Sequence, residues 1–323
     1  MTDRKWRVLV PEPVDESGPE SIADIAEVVG PEAHPDDAAR RADIGRFDAV
    51  VVRTFAVDRD LLERADELAV IAKHGAGLDN VDVEAATERG VVVCNTPEVN
   101  APSVAEHAVA LALGVRKRLR VADADVRGGT WDRTKYIAPE LAGDTMGLFG
   151  CGSIGGRVAE LADAFGMDVL VLDPYLTEET APSGVELVDS SADLFGRADV
   201  VSVHAPLTDE TRGAISTDEL SAFEDGVLVN TARGRIVDED ALVAALDDGT
   251  LAGAGLDTFE SEPPDPDDPL FDFENVVATP HVAGATIEAM ERMSLGAAEN
   301  IRTVYEGNLP ETTVNADGLD GWE

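Results

Sequence analysis

An apolar stretch, Thr145-Met146-Gly147-Leu148-Phe149, runs directly into Gly150-Cys151-Gly152-Ser153-Ile154-Gly155, and a helical pattern follows it. Few local structures suit this order. The first glycine makes a tight turn, the second lets the backbone approach a ligand, and the third lets the helix pack on the strand. A helix N-terminus presents free N–H groups and a positive dipole end, which suits a pyrophosphate. The residues that would line it are Gly150, Gly152, Ser153, Ile154 and Gly155. Asp173 closes the next apolar run, about 20 residues on, as the dinucleotide pattern requires. Its carboxylate can accept hydrogen bonds from ribose hydroxyls and would repel a 2′-phosphate. NAD is therefore favoured over NADP. NADP use stays open if Pro174 and Tyr175 are arranged differently.

The rest of the chain repeats the same rhythm. Strands are predicted at Arg7–Val10, Ala49–Val52, Ala69–Ala72 and Val91–Val93, with helices at Ser21–Val29, Asp58–Ala65 and Val83–Glu88. One long helix is predicted from Pro102 to Arg127, ending at Gly128-Gly129. After the glycine turn come strands at Val169–Leu172, Val200–Val203, Val227–Val229, Ala252–Leu256 and Val276–Ala278. Helices are predicted at Ile154–Phe165, Thr217–Ala222, Glu239–Leu246 and Glu288–Tyr305, and the tail 315–323 reads as polar and loose. Alternating strand and helix at this spacing implies parallel sheets covered on both faces. The fold class is α/β, with two doubly wound parallel-sheet domains.

Composition narrows the function classes. The chain of 323 residues carries 65 acidic and 25 basic side chains, a formal net charge of -40. A phosphate backbone would be repelled, so nucleic-acid binding is disfavoured. The acids are dispersed among recurring apolar runs, so disorder is not implied. A folded protein working in high salt is the better account, because screening shortens to about 3 Å at molar salt and self-repulsion fades. The reading is a halophilic protein. No uncharged apolar run reaches the roughly 18 residues of a spanning helix, and residues 1–6 show no signal-peptide core. The two cysteines, Cys94 and Cys151, have no metal-type spacing. They read as small buried packing residues, in a chain with no metal and a cytoplasmic location.

Three later segments each follow a predicted strand end. They are Asn230-Thr231-Ala232-Arg233-Gly234, Leu256-Asp257-Thr258-Phe259-Glu260-Ser261-Glu262-Pro263 and Thr279-Pro280-His281-Val282-Ala283-Gly284. Strand C-termini converge where such folds bind ligands. Together the segments offer Arg233, Glu262 and His281. Hydride addition to a 2-oxo acid puts negative charge on the carbonyl oxygen, which then needs a proton. Histidine titrates in the right range. A carboxylate bonded to it orients the ring and favours its protonated form. Arginine offers a fork of donors to a carboxylate or carbonyl. His281 is therefore the candidate acid/base, Glu262 its partner and Arg233 the substrate clamp.

In this order the motifs resemble the D-isomer-specific 2-hydroxyacid dehydrogenase family, and the resemblance covers nearly the whole chain. It implies a Rossmann cofactor domain, 102–287, inserted into a flavodoxin-like substrate domain, 1–101 plus 288–323. It implies that Arg233, Glu262 and His281 are catalytic, and that Asp257 contacts the nicotinamide carboxamide. Gly284 would line the nicotinamide. His204, Pro206 and Thr211 belong to the family's His-x-Pro loop along the cofactor. Thr231 and Ala232 are assigned to the cofactor with them. In the amino-terminal part, Val52-Arg53-Thr54 and the segment Lys73-His74-Gly75-Ala76-Gly77-Leu78-Asp79-Asn80 resemble substrate loops. Backbone N–H groups at Ala76 and Gly77 would hold the substrate carboxylate. Arg53 would bind a second acidic group or form a surface pair, and His74 would face substrate or cap a loop. His34 and His107 read as structural. The family is usually dimeric, so a homodimer is expected, with the helix region after Pro102 in its interface. The basic run Arg116-Lys117-Arg118-Leu119-Arg120 would supply ion pairs across that interface.

The resemblance implies a reversible, NAD-dependent reduction of 2-oxo acids to D-2-hydroxy acids. The segment Asn100-Ala101-Pro102-Ser103-Val104-Ala105-Glu106 resembles the 3-phosphoglycerate dehydrogenase branch, and Arg53 would suit a phosphate. The chain stops soon after its last helix, so no regulatory domain is expected. Small 2-oxo acids remain alternatives. A rival of another class is a dinucleotide-sensing binding protein related to this family, against which the intact Arg233, Glu262 and His281 speak.

Overall fold

A computed structural model describes residues 4–34 and 36–319. The chain separates into two compact units, Met1–Asn100 with Ala285–Glu323, and Ala101–Gly284. The boundaries fall at 100/101 and 284/285, beside the expected 101/102 and 287/288.

The first unit begins β1 (Trp6–Leu9), α1 (Ser17–Ser21), β2 (Ala26–Val29), α2 (Asp37–Asp43), β3 (Ala49–Val52) and α3 (Arg59–Leu62). It continues with β4 (Val70–Lys73), α4 (Val83–Glu88) and β5 (Val92–Cys94). The strands are parallel in the order β2-β1-β3-β4-β5, a flavodoxin-like order. Helices α2, α3 and α4 all start on an aspartate, because Asp36, Asp58 and Asp82 each accept a first-turn N–H. Such a cap stabilises a helix start by about 1 kcal/mol.

The second unit holds α5 (Ala101–Arg116), α6 (Leu119–Arg127), β6 (Thr145–Phe149), α7 (Ser153–Ala164), β7 (Asp168–Leu172) and β8 (Val185–Leu187). After these come α8 (Ser191–Arg197), β9 (Val200–Val203), α9 (Thr217–Ser221), β10 (Gly226–Asn230), α10 (Glu239–Asp247), β11 (Leu251–Leu256) and β12 (Val276–Ala278). The parallel order β12-β11-β10-β9-β6-β7-β8 contains the Rossmann arrangement, with the strand order reversing between β6 and β9. Helix α11 (Ile287–Tyr305) then returns to the first unit and packs on α1 and β4.

Alternate strand residues enter opposite cores, as strands buried on both faces must. In β3, Val50 and Val52 join Leu61, Leu62 and Ala85 on one side. Ala49 and Val51 join Ala297, Ile301 and Val304 of α11 on the other. In β10, Val227 and Val229 meet Leu111 and Ala112 of α5, while Leu228 faces Leu242 and Phe223.

Several sequence expectations are corrected. Residues 21–29 are not a helix: α1 ends at Ser21, and Ala26–Val29 is edge strand β2. Helix α1 packs closely on α11 at Gly18, where an added Cβ would fall 2.3 Å from Ser294 Oγ. The long helix is two helices, since Arg118 adopts left-handed φ 53 between α5 and α6. The short strand β8 and helix α8 were not expected. The tail is tied down as far as Leu319. Asn315 accepts from Val93 N at 2.9 Å, and its amide donates to Val91 O and Thr87 Oγ1, each at 2.9 Å. Residues 320–323 of that expectation lie outside the described residues. Within its own unit the basic run makes these bonds: Arg116 pairs with Asp144, Lys117 donates to Pro139 O, Arg118 to Lys135 O and Arg120 to Phe273 O.

Candidate functional site

The strand ends of the second unit carry the site. Gly150 takes φ +90 after β6, and an added Cβ would fall 2.6 Å from Ala205 N, which follows β9. Only glycine fits both the conformation and this approach. Gly155 packs on Gly150 O, where a Cβ would fall at 2.6 Å, whereas the space above Gly152 is open. Ser153, exposed, and Ile154 begin α7, whose Gly152 cap supplies no side-chain acceptor. The first-turn N–H groups therefore face open space, and the cradle fits a dinucleotide pyrophosphate.

Asp173, after β7, accepts from Cys151 N at 2.8 Å and from Tyr175 N at 2.9 Å. It fixes the glycine turn from the neighbouring strand. Each carboxylate oxygen keeps further acceptor capacity for a ribose hydroxyl. Burial raises the Cys151 thiol to about 11 and the Cys94 thiol to about 11, so both are inert packing groups.

After β9, His204 Nε2 meets Ser202 Oγ at 2.8 Å, and burial lowers the ring to about 4. It is a neutral imidazole at pH 7. Pro206 O accepts from Thr211 Oγ1 at 2.6 Å, which shapes the exposed loop. After β10, Asn230 pins the next turn by accepting from Ala232 N and donating to Arg233 O. Thr231 Oγ1 is buried without a hydrogen-bond partner in the chain. Gly234 brings this turn onto the following loop, since a Cβ would fall 1.9 Å from the Phe259 carbonyl carbon.

His281 and Glu262 meet there. His281 Nδ1 lies 2.7 Å from Glu262 Oε2, and Glu262 Oε1 accepts from Phe259 N at 3.1 Å. The hydrogen bond that His281 donates to Glu262 raises the His281 pKa above the usual imidazole range, against burial and the charge of Arg233. Burial works against ionised Glu262, but hydrogen bonds and the nearby charges of His281 and Arg233 outweigh it and hold its pKa low. Arg233 thus acts electrically on both partners, and its Nη1 donates to Ala232 O at 2.7 Å. His281 has φ 51, a left-handed backbone that costs a non-glycine residue roughly 1–2 kcal/mol.

Asp257 lies behind the pair. It is 0% exposed, and its carboxylate is committed to the loop that bears His281. It accepts from Thr279 Oγ1, Val282 N and Ala283 N at 2.6, 2.9 and 2.8 Å. A buried carboxylate needs such donors, so Asp257 serves the site through the loop that ends at Gly284. His107 joins it, with Nε2 3.0 Å from Thr279 Oγ1. Sequence reading had set His107 aside. Its place among the apolar positions Val104, Ala108 and Leu111 of α5 was the signal that it needs a buried partner.

In the first unit, Glu12 accepts from the consecutive N–H groups of Arg53, Thr54 and Phe55. Arg53 Nη1 donates to Pro13 O. His74 is 5% exposed, and burial, with the charge of Arg53, lowers it to about 4. It hydrogen-bonds toward the Met290 backbone. Ala76 and Gly77 lie in a turn held by Asn95 Nδ2 on Ala76 O and by Thr96 on Gly75. Among the described residues neither Ala76 nor Gly77 donates its N–H within the chain. Glu12 and Lys73 were missed. Lys73, 8% exposed, donates to Arg53 O and Asn80 Oδ1, bracing the 53–55 loop from below.

Fold and site define a two-unit α/β protein whose Rossmann unit bears a dinucleotide cradle and a hydrogen-bonded His281–Glu262 pair at neighbouring strand ends. Residues 109–283 match the model of the D-isomer specific 2-hydroxyacid dehydrogenase NAD binding domain. The D-3-phosphoglycerate dehydrogenase of Methanocaldococcus jannaschii is 40% identical over 317 residues, 97% of this chain and 60% of that protein. That of Mycobacterium leprae is 41% identical over 96% of this chain and 59% of its own length. This chain thus spans about 60% of the length of these relatives. A crystal structure of a Thermus thermophilus protein superposes with TM-score 0.86 at 36% identity, covering 95% of this chain and 99% of that one. An NADPH-dependent glyoxylate/hydroxypyruvate reductase from Sinorhizobium meliloti, in complex with NADP and malonate, superposes with TM-score 0.84 at 35% identity, covering 98% of each chain. The chain belongs to the D-isomer specific 2-hydroxyacid dehydrogenase family, and its cofactor is NAD(P).

Proposed function

We propose that this protein interconverts 2-oxo acids and D-2-hydroxy acids with NAD, and that its substrate is 3-phosphoglycerate or a small 2-oxo acid. The observation that carries this reading is the His281–Glu262 pair, held 2.7 Å apart on the unit that bears the dinucleotide cradle. When bound, the nicotinamide supplies or removes the hydride at substrate C2. Glu262 occupies His281 Nδ1, which leaves Nε2 to carry the proton. In reduction Nε2 gives that proton to the oxygen of C2, and in oxidation it takes it back. Arg233 presents guanidinium donors to the substrate carboxylate or carbonyl and stabilises the developing negative charge. The undonated N–H groups of Ala76 and Gly77 suit the carboxylate. Arg53 suits a phosphate at the far end. The names of the most similar curated relatives support the phosphate-bearing substrate, and Asp173 supports NAD over NADP.

The test is a panel of 2-oxo acids with NADH and NADPH in molar KCl, followed by absorbance loss. Turnover with NADH is expected. No turnover of any member would defeat the reading. His281→Ala should lower the rate roughly 10²–10⁴-fold, and an unchanged rate would remove the acid/base assignment.

We also propose a cytoplasmic homodimer. No helix among the described residues is long and apolar enough to cross a membrane. Trp131 is 79% exposed and Ile137 84% exposed on the segment after α6. Large apolar residues so displayed mark an interface. Sedimentation should show a dimer, with Trp131→Asp and Ile137→Asp together giving a monomer. An unaltered dimer would place the interface elsewhere.

A further inference from the structure

The loop that carries His281 is held from behind by an ordered chain of hydrogen bonds. A threonine hydroxyl has one hydrogen. Thr279 Oγ1 spends it on Asp257 Oδ1 at 2.6 Å, so towards His107 it can only accept. The 3.0 Å contact therefore fixes the proton of His107 on Nε2, and donation runs from His107 to Thr279 to Asp257. Asp257 Oδ1 also accepts from Val282 N, Oδ2 accepts from Ala283 N, and its backbone oxygen accepts from His281 N at 2.9 Å. These bonds bracket the one catalytic-site residue whose backbone is left-handed, His281. A strained backbone persists only where its surroundings over-determine it. Asp257, which can only accept, orients the Thr279 hydroxyl. His107, anchored on helix α5, donates to the remaining lone pair of that oxygen and holds Thr279 in place from behind.

We propose that His107, acting through Thr279 and Asp257, is a positioning residue that holds the His281 loop in its working geometry. The inference rests on the reading of His281 as the acid/base. His107 touches no reacting atom in this scheme. Its effect is on where the His281 ring stands relative to Glu262.

The test uses the full-length protein with His107→Leu, His107→Gln, Thr279→Val and Thr279→Ser. Gln keeps a donor near the position of Nε2, and Ser keeps the hydroxyl. Two readouts are taken. The first is kcat and KM with NADH and the best 2-oxo acid. The second is the proton NMR titration of the His281 ring in cofactor-free protein, its signal identified by loss in His281→Ala. The charged groups facing that ring are Glu262, Arg233 and Asp257. His107→Leu and Thr279→Val should lower kcat about 10–100-fold, as small misplacements do, while KM for NADH stays close to wild type. The titration of His281 should move down toward the ordinary imidazole range as its pairing with Glu262 loosens. His107→Gln and Thr279→Ser should recover most of both effects.

Wild-type kcat and titration in His107→Leu would overturn the proposal. So would equal losses in the Leu and Gln variants with no move in the titration, since that pattern is packing alone. If the wild-type protein turns over no 2-oxo acid, the functional reading fails separately. The titration then still decides whether His107 positions His281.

Discussion

At the scale of single residues, the pair His281 and Glu262 sets a sign for pH dependence. The histidine pKa is raised by its carboxylate partner. Reduction needs the protonated ring, so its rate should hold below this raised pKa and fall as pH climbs through it. Glu262→Gln removes the charge that raises it, and the falling limb should move to lower pH. A pH profile of reduction with wild type and variant checks this; coincident limbs would show that Glu262 does not tune His281. The trio itself was legible because each member sits in a short motif after a strand. The buried support was not. Thr279, Asp257 and His107 come from three distant segments, and only the packing of α5 against β11 and β12 makes them neighbours. The three donors that Asp257 accepts from the His281 loop were not legible either, because a motif gives the residue but not the direction of its carboxylate.

At the scale of elements, continuous apolar runs revealed the central strands, since residues buried on both faces leave no polar alternation. Of the four edge strands, β2 and β8 escaped. In β2 the residue Glu27 is exposed, and β8 is three residues long with Glu186 exposed. The break between α5 and α6 also escaped, because Arg118 carries no glycine-like signal for its left-handed turn. The tail escaped because its anchor is one side chain. Asn315→Leu should leave Val93 N–H and Val91 C=O buried without partners. A loss of roughly 2–4 kcal/mol is expected, read by chemical denaturation in high salt. A loss within about 0.5 kcal/mol, the range of ordinary surface changes, would mean the tail contributes little.

At the scale of the whole molecule, the net charge of -40 dominates. Many of the cations are already paired, including Arg41 with Asp37 and Asp58, and Arg302 with Asp24. The surplus is carboxylate, and it repels itself over distances that dilute buffer does not screen. We propose that the protein is halophilic. Its unfolding midpoint should rise steeply with KCl into the molar range, and full stability in dilute buffer would sink that reading.

The return of α11 to the first unit has a consequence for how the chain comes to be folded. Residues 101–284 form a continuous segment with their own two cores, so this unit can fold as soon as it leaves the ribosome. The first hundred residues emerge earlier but must wait. One face of their sheet, with Val8, Ala49, Val51 and Val70, stays uncovered until Ala297, Ile301 and Val304 have been synthesised. The part made first is thus completed last, and a nascent chain halted near residue 284 would expose an apolar sheet face that a chaperone could recognise.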